Sequence, residues 1–390
     1  MPRPTTPALS RRGLLAGAAL TSASLPAAGA ATADAARPPL WRLAETRGLA
    51  FGSSIATWQL DAGHRRLHDR EAAVLLTEDD LLWHRLKPRP GASLDFRRGD
   101  RLADLAGRHD QLLVGTHLVW DEGFGAGWSD ADLWDLDRRR ARRLLHGVIR
   151  REVEHYRGRM SAWIVANEVT APQHADRHGL RTDVPWRATI GPDYVASCFH
   201  LVREVDPRPL RIINEYGFET DAGRRHRAAA RRRAFLVAVD RLLAQGAPVQ
   251  AVGIQGHLLA GDFARRFDER AYRAFLRELA DRGLTVLVTE LDVLDDGLPA
   301  DVRVRDRAVA DVYRRYLDVT LDERAVKAVI AFGLTDRYTW LEEDEPRRDG
   351  AHRRPLAFDR RLRPKPAYDA IGRALRHAPE RERLWSPRRG

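Results

Sequence analysis

From about residue 48 onward, short apolar runs alternate with longer amphipathic stretches. Apolar runs of this length, bounded by polar and turn residues, predict buried β-strands. The predicted strands are 49–54, 72–77, 111–120, 162–168, 210–216, 249–258, 285–293 and 325–335. Helical periodicity predicts helices at 100–108, 130–156, 193–205, 228–244, 268–282 and 304–321, with a last helix at 367–376.

Strands that are apolar throughout and are separated by helices indicate a parallel sheet covered by helices. Eight such units predict an α/β protein built as a single-domain (β/α)8 TIM barrel, a fold that needs about 250 residues. A doubly wound open sheet is the alternative. It would place a glycine-rich phosphate turn after the first strand, whereas residues 51–54 read Phe-Gly-Ser-Ser.

The two ends of the chain differ in composition from the predicted barrel. Arg11 and Arg12 form a twin-arginine pair, followed by an apolar run through Leu25 and then by small residues. This pattern predicts a twin-arginine-type signal peptide over residues 1–36 and export to a periplasmic or extracellular location. Residues 37–378 are predicted to form the barrel and residues 379–390 a basic C-terminal tail. No membrane contact is expected after removal of the signal, because no later stretch is apolar enough to span a bilayer.

The formal net charge is +11, and only three of the 66 basic residues are lysines. The arginine-dense segments 138–143 and 224–233 lie in helical patterns and are predicted to be solvated helix faces, so no nucleic-acid partner is expected. Polyanion binding through these faces is an alternative that predicts a strongly salt-dependent affinity. Cys198 is the only cysteine, which excludes an intramolecular disulfide.

The active site of a (β/α)8 barrel is built from residues at the carboxyl-terminal ends of its strands. The polar and aromatic residues at these ends are Glu78, Asp79, Asp80, His117, Trp120, Asp121, Asn167, Glu168, Asn214, Glu215, Tyr216, Gln255, His257, Glu290, Asp292, Asp336 and Trp340. The set contains carboxylates, amides and aromatic rings, without a metal-ligand cluster, a Gly-x-Ser-x-Gly turn or a cysteine nucleophile. We therefore expect neither a metal nor an organic cofactor.

Two carboxylates, Glu168 and Glu290, each end an otherwise apolar strand. Burying a lone glutamate at such a position is costly, so the pair requires a reason. Either residue alone is also compatible with a salt bridge to one of the many arginines. Cleavage of a glycosidic bond needs such a pair, because one carboxyl must be protonated and the other ionised. Indole rings nearby suit a sugar substrate.

Three stretches resemble signature motifs of glycoside hydrolase family 10, the retaining endo-β-1,4-xylanases. They are Trp-Ile-Val-Ala-Asn-Glu at 163–168, Gly-Ile-Gln-Gly-His-Leu at 253–258 and Val-Thr-Glu-Leu-Asp-Val at 288–293. Further similar stretches are Leu-Val-Trp at 118–120, Thr-Asp-Arg-Tyr-Thr-Trp-Leu at 335–341 and Lys-Pro-Ala-Tyr at 365–368. The resemblance spans roughly residues 41–376 and implies that residues 37–378 form a family 10 catalytic domain.

The resemblance implies that Glu168 is the acid/base and Glu290 the nucleophile of a double displacement. It also implies that Asn167 binds the 2-hydroxyl of the cleaved sugar, and that His257, oriented by Asp292, holds Glu290. The negative charge of Glu290 is expected to raise the pKa of Glu168. The residues expected to bind substrate are Glu78, Asp79, Trp83, Trp120, Tyr216, Gln255, Phe332 and Trp340. The expected partner is a polysaccharide, and the protein is expected to be a monomer.

Several positions depart from the family pattern, which indicates a divergent member. Where the family usually has Glu-Asn-x-x-Lys-Trp, residues 78–83 read Glu-Asp-Asp-Leu-Leu-Trp. Thr116 replaces the histidine of the third-strand motif. Strand alternation predicts that His117 faces the side opposite to Thr116, and a slip in the strand register is the alternative. Phe332 stands where tryptophan is usual, and Glu215 where aspartate is usual.

By the same resemblance, most of the departures border the sugar on the non-reducing side of the cleaved bond. The first hypothesis is a retaining endo-hydrolase of β-1,4-linked xylan or a related polysaccharide. The alternatives are a transglycosylase, a hydrolase of a non-xylan polysaccharide such as a bacterial exopolysaccharide, and a sugar-binding protein that has lost turnover.

Overall fold

Eight parallel strands close into a barrel in this computed structural model, which describes residues 37–173, 175–221 and 227–386. The strands are β1 (Ala50–Ser54), β2 (Val74–Leu76), β3 (Leu112–Gly115), β4 (Ala162–Asn167), β5 (Leu210–Glu215), β6 (Ala251–Ile254), β7 (His257–Leu259), β8 (Thr285–Leu294) and β9 (Val326–Ala331). The barrel order is β1-β2-β3-β4-β5-β6-β8-β9, and β9 pairs with β1 to close it. The short strand β7 pairs with the far end of β8. The predicted (β/α)8 barrel is confirmed.

The helices cover the outside of the barrel or form short turns at its mouth. They are α1 (Leu40–Glu45), α2 (Ala62–Glu71), α3 (Trp83–Leu86), α4 (Arg97–Arg108), α5 (Asp130–Trp134), α6 (Arg138–His155), α7 (Pro185–Thr189), α8 (Tyr194–Val205), α9 (Ala228–Ala244), α10 (Phe263–Arg266), α11 (Glu269–Asp281), α12 (Val302–Thr320), α13 (Leu341–Asp344) and α14 (Pro366–His377). The helix predicted at 130–156 is two helices, because Asp137 caps a new helix by accepting from the backbone N–H of Arg140. No described helix is long and apolar enough to cross a membrane.

The strand side chains divide between two buried layers. The barrel interior is filled by Val74, Leu76, Val114, Ala162, Ile164, Ile212, Ala251, Leu287, Ala328 and Ile330. The other strand residues pack outward against the helices in a larger cluster. This alternation is the two-residue period of a strand, and it explains why both faces of each strand are apolar.

β-Bulges interrupt the alternation at two functionally important points. In β4 the pairing with β5 shifts between Ile164 and Ala166, so that Val165 and Ala166 both pack in the outer layer. In β8 the pairing with β9 shifts between Val288 and Leu291, and these two residues both pack outward although they are three positions apart. A bulge of this kind changes the face to which the following side chains point. Glu168 follows the first bulge at the end of β4, and Glu290 lies within the second.

The third and sixth predicted strands are shorter than expected. β3 ends at Gly115, because the hydroxyl of Thr116 donates to the carbonyl of Thr77 at 2.6 Å and pulls the chain out of the regular ladder. The sixth run divides into β6 and β7 at Gly256, whose φ of 79° is left-handed and suits glycine.

The C-terminal segment is docked onto the barrel up to the last described residue, Ser386. The guanidinium of Arg381 donates to the carbonyls of Leu321, Glu323 and Val326 at 2.6–2.9 Å. Trp385 packs against the cluster that fills the barrel interior. The part of the predicted basic C-terminal tail that the structure describes, up to Ser386, therefore contacts the barrel through Arg381 and Trp385. Residues 387–390 and the predicted signal at 1–36 lie outside the described residues.

Candidate active site

A groove with a volume of about 1210 Å³ crosses the carboxyl-terminal mouth of the barrel. It is larger than a pocket for a drug-sized molecule, which occupies about 300–1,000 Å³, so it has room for several sugar units. Eleven of the predicted site residues line it: Glu78, Asp79, Trp120, Asn167, Glu168, Tyr216, Gln255, His257, Glu290, Phe332 and Trp340. Trp83 and Asp292 do not, and both are buried.

Glu168 lies immediately after β4 in an unusual backbone conformation. Its φ of 55° places it in the left-handed region, which only a few per cent of non-glycine residues occupy. Gln255 donates its amide to one carboxyl oxygen at 2.7 Å, and the indole N–H of Trp120 donates to the other at 3.2 Å. The carboxyl group is thereby held at a fixed place on the groove wall.

The surroundings of Glu168 favour its protonated form. Burial and, after it, the negative charge of Glu215 raise the pKa of Glu168 to about 8, although the Gln255 hydrogen bond opposes them. Glu290 and Glu122 contribute smaller effects in the same direction. The direction agrees with the sequence expectation. The cause differs, because burial and Glu215 outweigh the charge of Glu290.

Glu290 is buried at the end of the regular part of β8 and has strong hydrogen-bond donors. Asn214 donates its side-chain amide to one carboxyl oxygen at 2.7 Å, and His257 Nε2 lies 3.3 Å from the other. Burial alone would raise the pKa of Glu290. The hydrogen bond and positive charge of His257, together with the Asn214 amide, outweigh burial and lower the pKa of Glu290 below its ordinary value. Glu290 is therefore ionised at neutral pH.

Asn214, at the end of β5, joins the two carboxyl groups into one network. Besides binding Glu290, its amide donates to the side-chain oxygen of Asn167 at 2.8 Å. Asn167 in turn donates to Glu168 at 3.3 Å. The hydroxyl of Thr289 donates to the Asn214 oxygen at 2.7 Å, because the bulge in β8 lets Thr289 and Glu290 face the same side. Asn214 is among the predicted strand-end residues, but no sequence pattern predicts that it donates to both Asn167 and Glu290.

His257 is held between two carboxylates. Its Nδ1 lies 2.8 Å from Asp292 and its Nε2 lies 3.3 Å from Glu290. Burial lowers the pKa of His257, but the charges and hydrogen bonds of Asp292 and Glu290 raise it well above its ordinary value. The protonated ring donates to both carboxylates. Trp340 donates its indole N–H to the second oxygen of Asp292 at 2.8 Å, which fixes the arrangement from the groove side.

The comparisons with known proteins agree with this geometry. The family model described as glycosyl hydrolase family 10 matches residues 40–374. The chain belongs to glycosyl hydrolase family 10. It is 27% identical over 339 residues to endo-1,4-beta-xylanase B of Thermotoga neapolitana, covering 85% of this chain and 90% of that protein. It is 30% identical over 309 residues to endo-1,4-beta-xylanase 5 of Pyricularia oryzae, covering 78% and 69%. The crystal structure of xylanase 10B from Thermotoga maritima aligns with a TM-score of 0.74 at 26% identity, covering 86% of this chain and 98% of that one.

In this family 10 chain, the segment after β2 differs most from the family motif, Glu-Asn-x-x-Lys-Trp. Glu78 accepts hydrogen bonds from Ser54 and Gln59, and burial raises its pKa to about 7. Asp79 is engaged by Arg85 at 2.9 Å and by His84 at 3.5 Å. These contacts lower the pKa of Asp79 although burial opposes them. Leu82, at the position of the motif lysine, lines the groove with an apolar side chain.

The expectation that Trp83 binds substrate is wrong. Its side chain is only 2% exposed and packs against Trp128, Phe124 and Trp186, with ring centroids 5.0–5.8 Å away. The indole contributes to the core because its large apolar surface is best buried there. Phe332 does line the groove, at 5.5 Å from the His257 ring.

The expected orientation of His117 is also wrong. Since β3 ends at Gly115, strand alternation no longer applies, and His117 lines the groove while Thr116 bonds to Thr77. The His117 ring packs edge-to-face against Trp120 at 5.4 Å. Burial lowers the pKa of His117 to about 4, against the attraction of Glu290. His117 is therefore a neutral polar group beside the ionised Glu290.

Glu215 faces away from the groove. It forms a buried salt bridge with Arg231 at 3.1 Å and accepts from the backbone and hydroxyl of Thr170. The neighbouring Tyr216 lines the groove, with the Arg231 guanidinium over its ring at 4.2 Å. Glu215 thus acts on the site through its charge and not through contact. Among the described residues, no group of three or more His, Cys, Asp and Glu side chains could hold a metal ion.

Proposed function

We propose that this chain is a retaining, endo-acting glycoside hydrolase that cleaves the β-1,4-linked backbone of xylan or a closely related polysaccharide. The observation that carries the proposal is the pair of carboxyl groups with opposite protonation preferences in one groove. Membership of glycosyl hydrolase family 10 and similarity to named endo-1,4-beta-xylanases support it.

In the first step, ionised Glu290 attacks the anomeric carbon while protonated Glu168 gives its proton to the departing glycosidic oxygen. The product is a glycosyl-enzyme ester and a free sugar chain. The protonated His257 and the Asn214 amide keep Glu290 ionised and aimed before the attack. Asn167, held by Asn214 and Gln255, is placed to bind the 2-hydroxyl of the reacting sugar.

In the second step, Glu168 acts as a base. It removes a proton from water, and the oxygen attacks the anomeric carbon and releases Glu290. Ester formation removes the negative charge of Glu290, which lowers the pKa of Glu168 for this role. Two inversions at one carbon retain the β configuration. The open groove supports an endo-acting enzyme, because a chain can extend beyond the carboxyl pair in both directions.

A non-xylan β-1,4-linked polysaccharide is a second candidate. The observation that favours it is the altered segment after β2, where the mostly buried Leu82 borders the groove in place of a lysine and Asp79 forms a salt bridge with Arg85. A polymer whose sugar presents an apolar face at this place fits the groove better than one whose sugar requires a hydrogen bond from a lysine.

The proposal is tested by release of reducing ends from xylan, arabinoxylan, mixed-linked glucan, cellulose and an acidic exopolysaccharide. The full chain is compared with Glu290→Gln and with Glu154→Gln, whose carboxylate is exposed on α6 away from the groove. We expect release from xylan by the full chain and by Glu154→Gln, with a loss of at least about 10⁴-fold for Glu290→Gln. NMR of the initial product is expected to show the β anomer.

The other results separate the alternatives. Release only from another polymer keeps the mechanism and replaces xylan as the substrate. Longer oligosaccharides formed from shorter ones identify a transglycosylase. Binding without release or transfer overturns the enzymatic proposal in favour of a sugar-binding protein.

We also propose export of this protein by the twin-arginine route, on the basis of Arg11 and Arg12. Replacement of both by lysine is expected to retain the protein inside the producing cell. Fractionation and immunoblotting measure the result, and unchanged export of the double variant would contradict the proposal.

A further inference from the structure

The groove extends from one side of the barrel mouth to the other. Tyr216 follows β5 and Trp58 follows β1, and both residues line the groove. In the closed order β1-β2-β3-β4-β5-β6-β8-β9, β1 and β5 are four strands apart in either direction, so they lie on opposite sides. Trp58 therefore marks one end of the groove and Tyr216 the other.

The groove tryptophans differ in what their side chains do. Trp120 and Trp340 donate their indole N–H groups to Glu168 and Asp292, so both are part of the catalytic centre. Trp58 is 51% exposed, the largest exposed fraction among the large hydrophobic side chains of the described residues. An indole left open to water in a groove has apolar surface to bury against a ligand. The face of a sugar ring, with its C–H groups, is a suitable partner.

The residues on both sides of Trp58 are hydrogen-bonded to residues that follow β2. Thr57 donates its backbone N–H and its hydroxyl to Asp80, at 2.6 and 2.9 Å. Gln59 donates its amide to Glu78 at 2.7 Å and accepts from the backbone N–H of Ala56 at 3.0 Å. The short 3-10 turn Thr57–Gln59 is thus anchored at both of its ends. Trp58 is exposed on a fixed support, which reduces the entropy lost on binding.

A second element supports the indole from the other side. Tyr338 packs against Trp58 in a T-shaped arrangement, with ring centroids 5.7 Å apart. Tyr338 is itself held, because its hydroxyl and the guanidinium of Arg337 both donate to Asp61. Asp61 also caps α2 by accepting from the backbone N–H groups of Gly63 and His64. The indole is therefore positioned by residues that follow β1, β2 and β9.

We propose that Trp58 is the stacking platform of an additional sugar subsite at the β1 end of the groove, which binds longer β-1,4-linked oligosaccharides. This inference rests on the proposed function. The subsite lies outside the carboxyl pair and acts on binding, so it distinguishes substrates by length. A short substrate that occupies only the centre of the groove does not reach it.

The test compares Trp58→Ala with Trp134→Ala, a matched control. Trp134 is 40% exposed on α5 and does not line the groove. Steady-state kinetics are measured with xylohexaose and with 4-nitrophenyl β-xylobioside. We expect Trp58→Ala to raise KM for xylohexaose about tenfold, the usual effect of truncating a large aromatic contact, with kcat nearly unchanged. We expect Trp134→Ala to match the unaltered chain on both substrates, and Trp58→Phe to recover most of the affinity because it retains an aromatic face.

The outcomes separate this inference from the proposed function. An unchanged KM for xylohexaose in Trp58→Ala, or an equal loss on the short substrate, overturns the subsite while the hydrolase proposal stands. An equal loss in Trp134→Ala also overturns it, because the effect then belongs to any exposed tryptophan. If the unaltered chain cleaves neither substrate, the proposed function fails and the inference fails with it.

Discussion

Glu168 and Glu290 carry the same functional group, but their neighbours favour opposite protonation states. Both are buried, which alone would raise both pKa values. The difference comes from the charge of the groups nearby, since Glu168 lies near the carboxylate of Glu215 and Glu290 faces the protonated His257. At the scale of single residues, the nearby charges therefore make one glutamate an acid and the other a nucleophile.

The pH dependence of kcat/KM is expected to reflect this arrangement. The basic limb is expected near pH 8, where Glu168 loses its proton, and the acidic limb below the ordinary pKa of a glutamate, where Glu290 gains one. Glu215→Gln removes a negative charge beside Glu168 and leaves Arg231 positive, so the basic limb is expected to move to lower pH. The profile is measured on xylo-oligosaccharides, which need acid assistance.

Glu122→Gln is the matched control for this prediction, because Glu122 has the smallest of the named effects on the pKa of Glu168. A smaller shift in the same direction is expected from it. A basic limb that stays in place in Glu215→Gln would show that the charge of Glu215 does not reach the acid.

The chemistry of the site could be predicted residue by residue where a side chain ends an apolar strand. Glu168 and Glu290 stand out in this way, since a carboxylate after such a run needs an explanation. The faces of His117 and Trp83 could not be predicted, because they depend on where the strand ends and on tertiary packing. The role of Asn214 depends on two bulges in other strands, which leave no local signal.

At the scale of elements, the carboxyl-terminal ends of the strands position the site, and the segment 380–386 docks at the opposite end of the barrel. The order of strands and helices follows from hydrophobic periodicity, so the barrel could be predicted. The docking of residues 380–386, which read Glu-Arg-Glu-Arg-Leu-Trp-Ser, could not be predicted, because a short segment without helix or strand periodicity carries no local signal of its partner. Arg381 binds backbone carbonyls, an interaction that no residue type in the partner segment reveals.

Arg381→Ala is expected to lower the free energy of unfolding by about 1–3 kcal/mol, because buried carbonyls of Leu321 and Val326 lose their donor. Arg383→Ala is the control, since Arg383 is exposed and makes one long contact of 3.5 Å to the Glu45 carbonyl. Urea unfolding followed by circular dichroism gives both values. A midpoint for Arg381→Ala equal to that of the unaltered chain would show that these contacts do not contribute to stability.

At the scale of the whole molecule, the fold holds buried carboxyl groups both inside and outside the groove. Those in the groove have partners that suit catalysis. Glu152, in the last turn of α6, is 1% exposed, and neither of its carboxyl oxygens has a hydrogen-bond partner among the described residues. Burial raises the pKa of Glu152 well above its ordinary value, so the folded protein holds it protonated. Glu152 has no part in the proposed mechanism, so the free-energy cost of burying its carboxyl group lowers the stability of the fold without aiding catalysis.

Glu152→Met replaces the buried acid by an apolar side chain of similar length and is expected to stabilise the fold by about 1–3 kcal/mol at pH 7. The gain depends on pH. Because the folded pKa is raised, the folded state keeps a proton that the unfolded state releases above pH 4.5, so the free energy of unfolding falls as the pH rises toward the folded pKa. The advantage of Glu152→Met is therefore expected to grow from pH 4 to pH 7. Glu154→Met, the same change at an exposed position on α6, is expected to be nearly neutral at both values. Urea unfolding at the two pH values measures the difference, and a pH-independent gain would show that Glu152 does not titrate on unfolding.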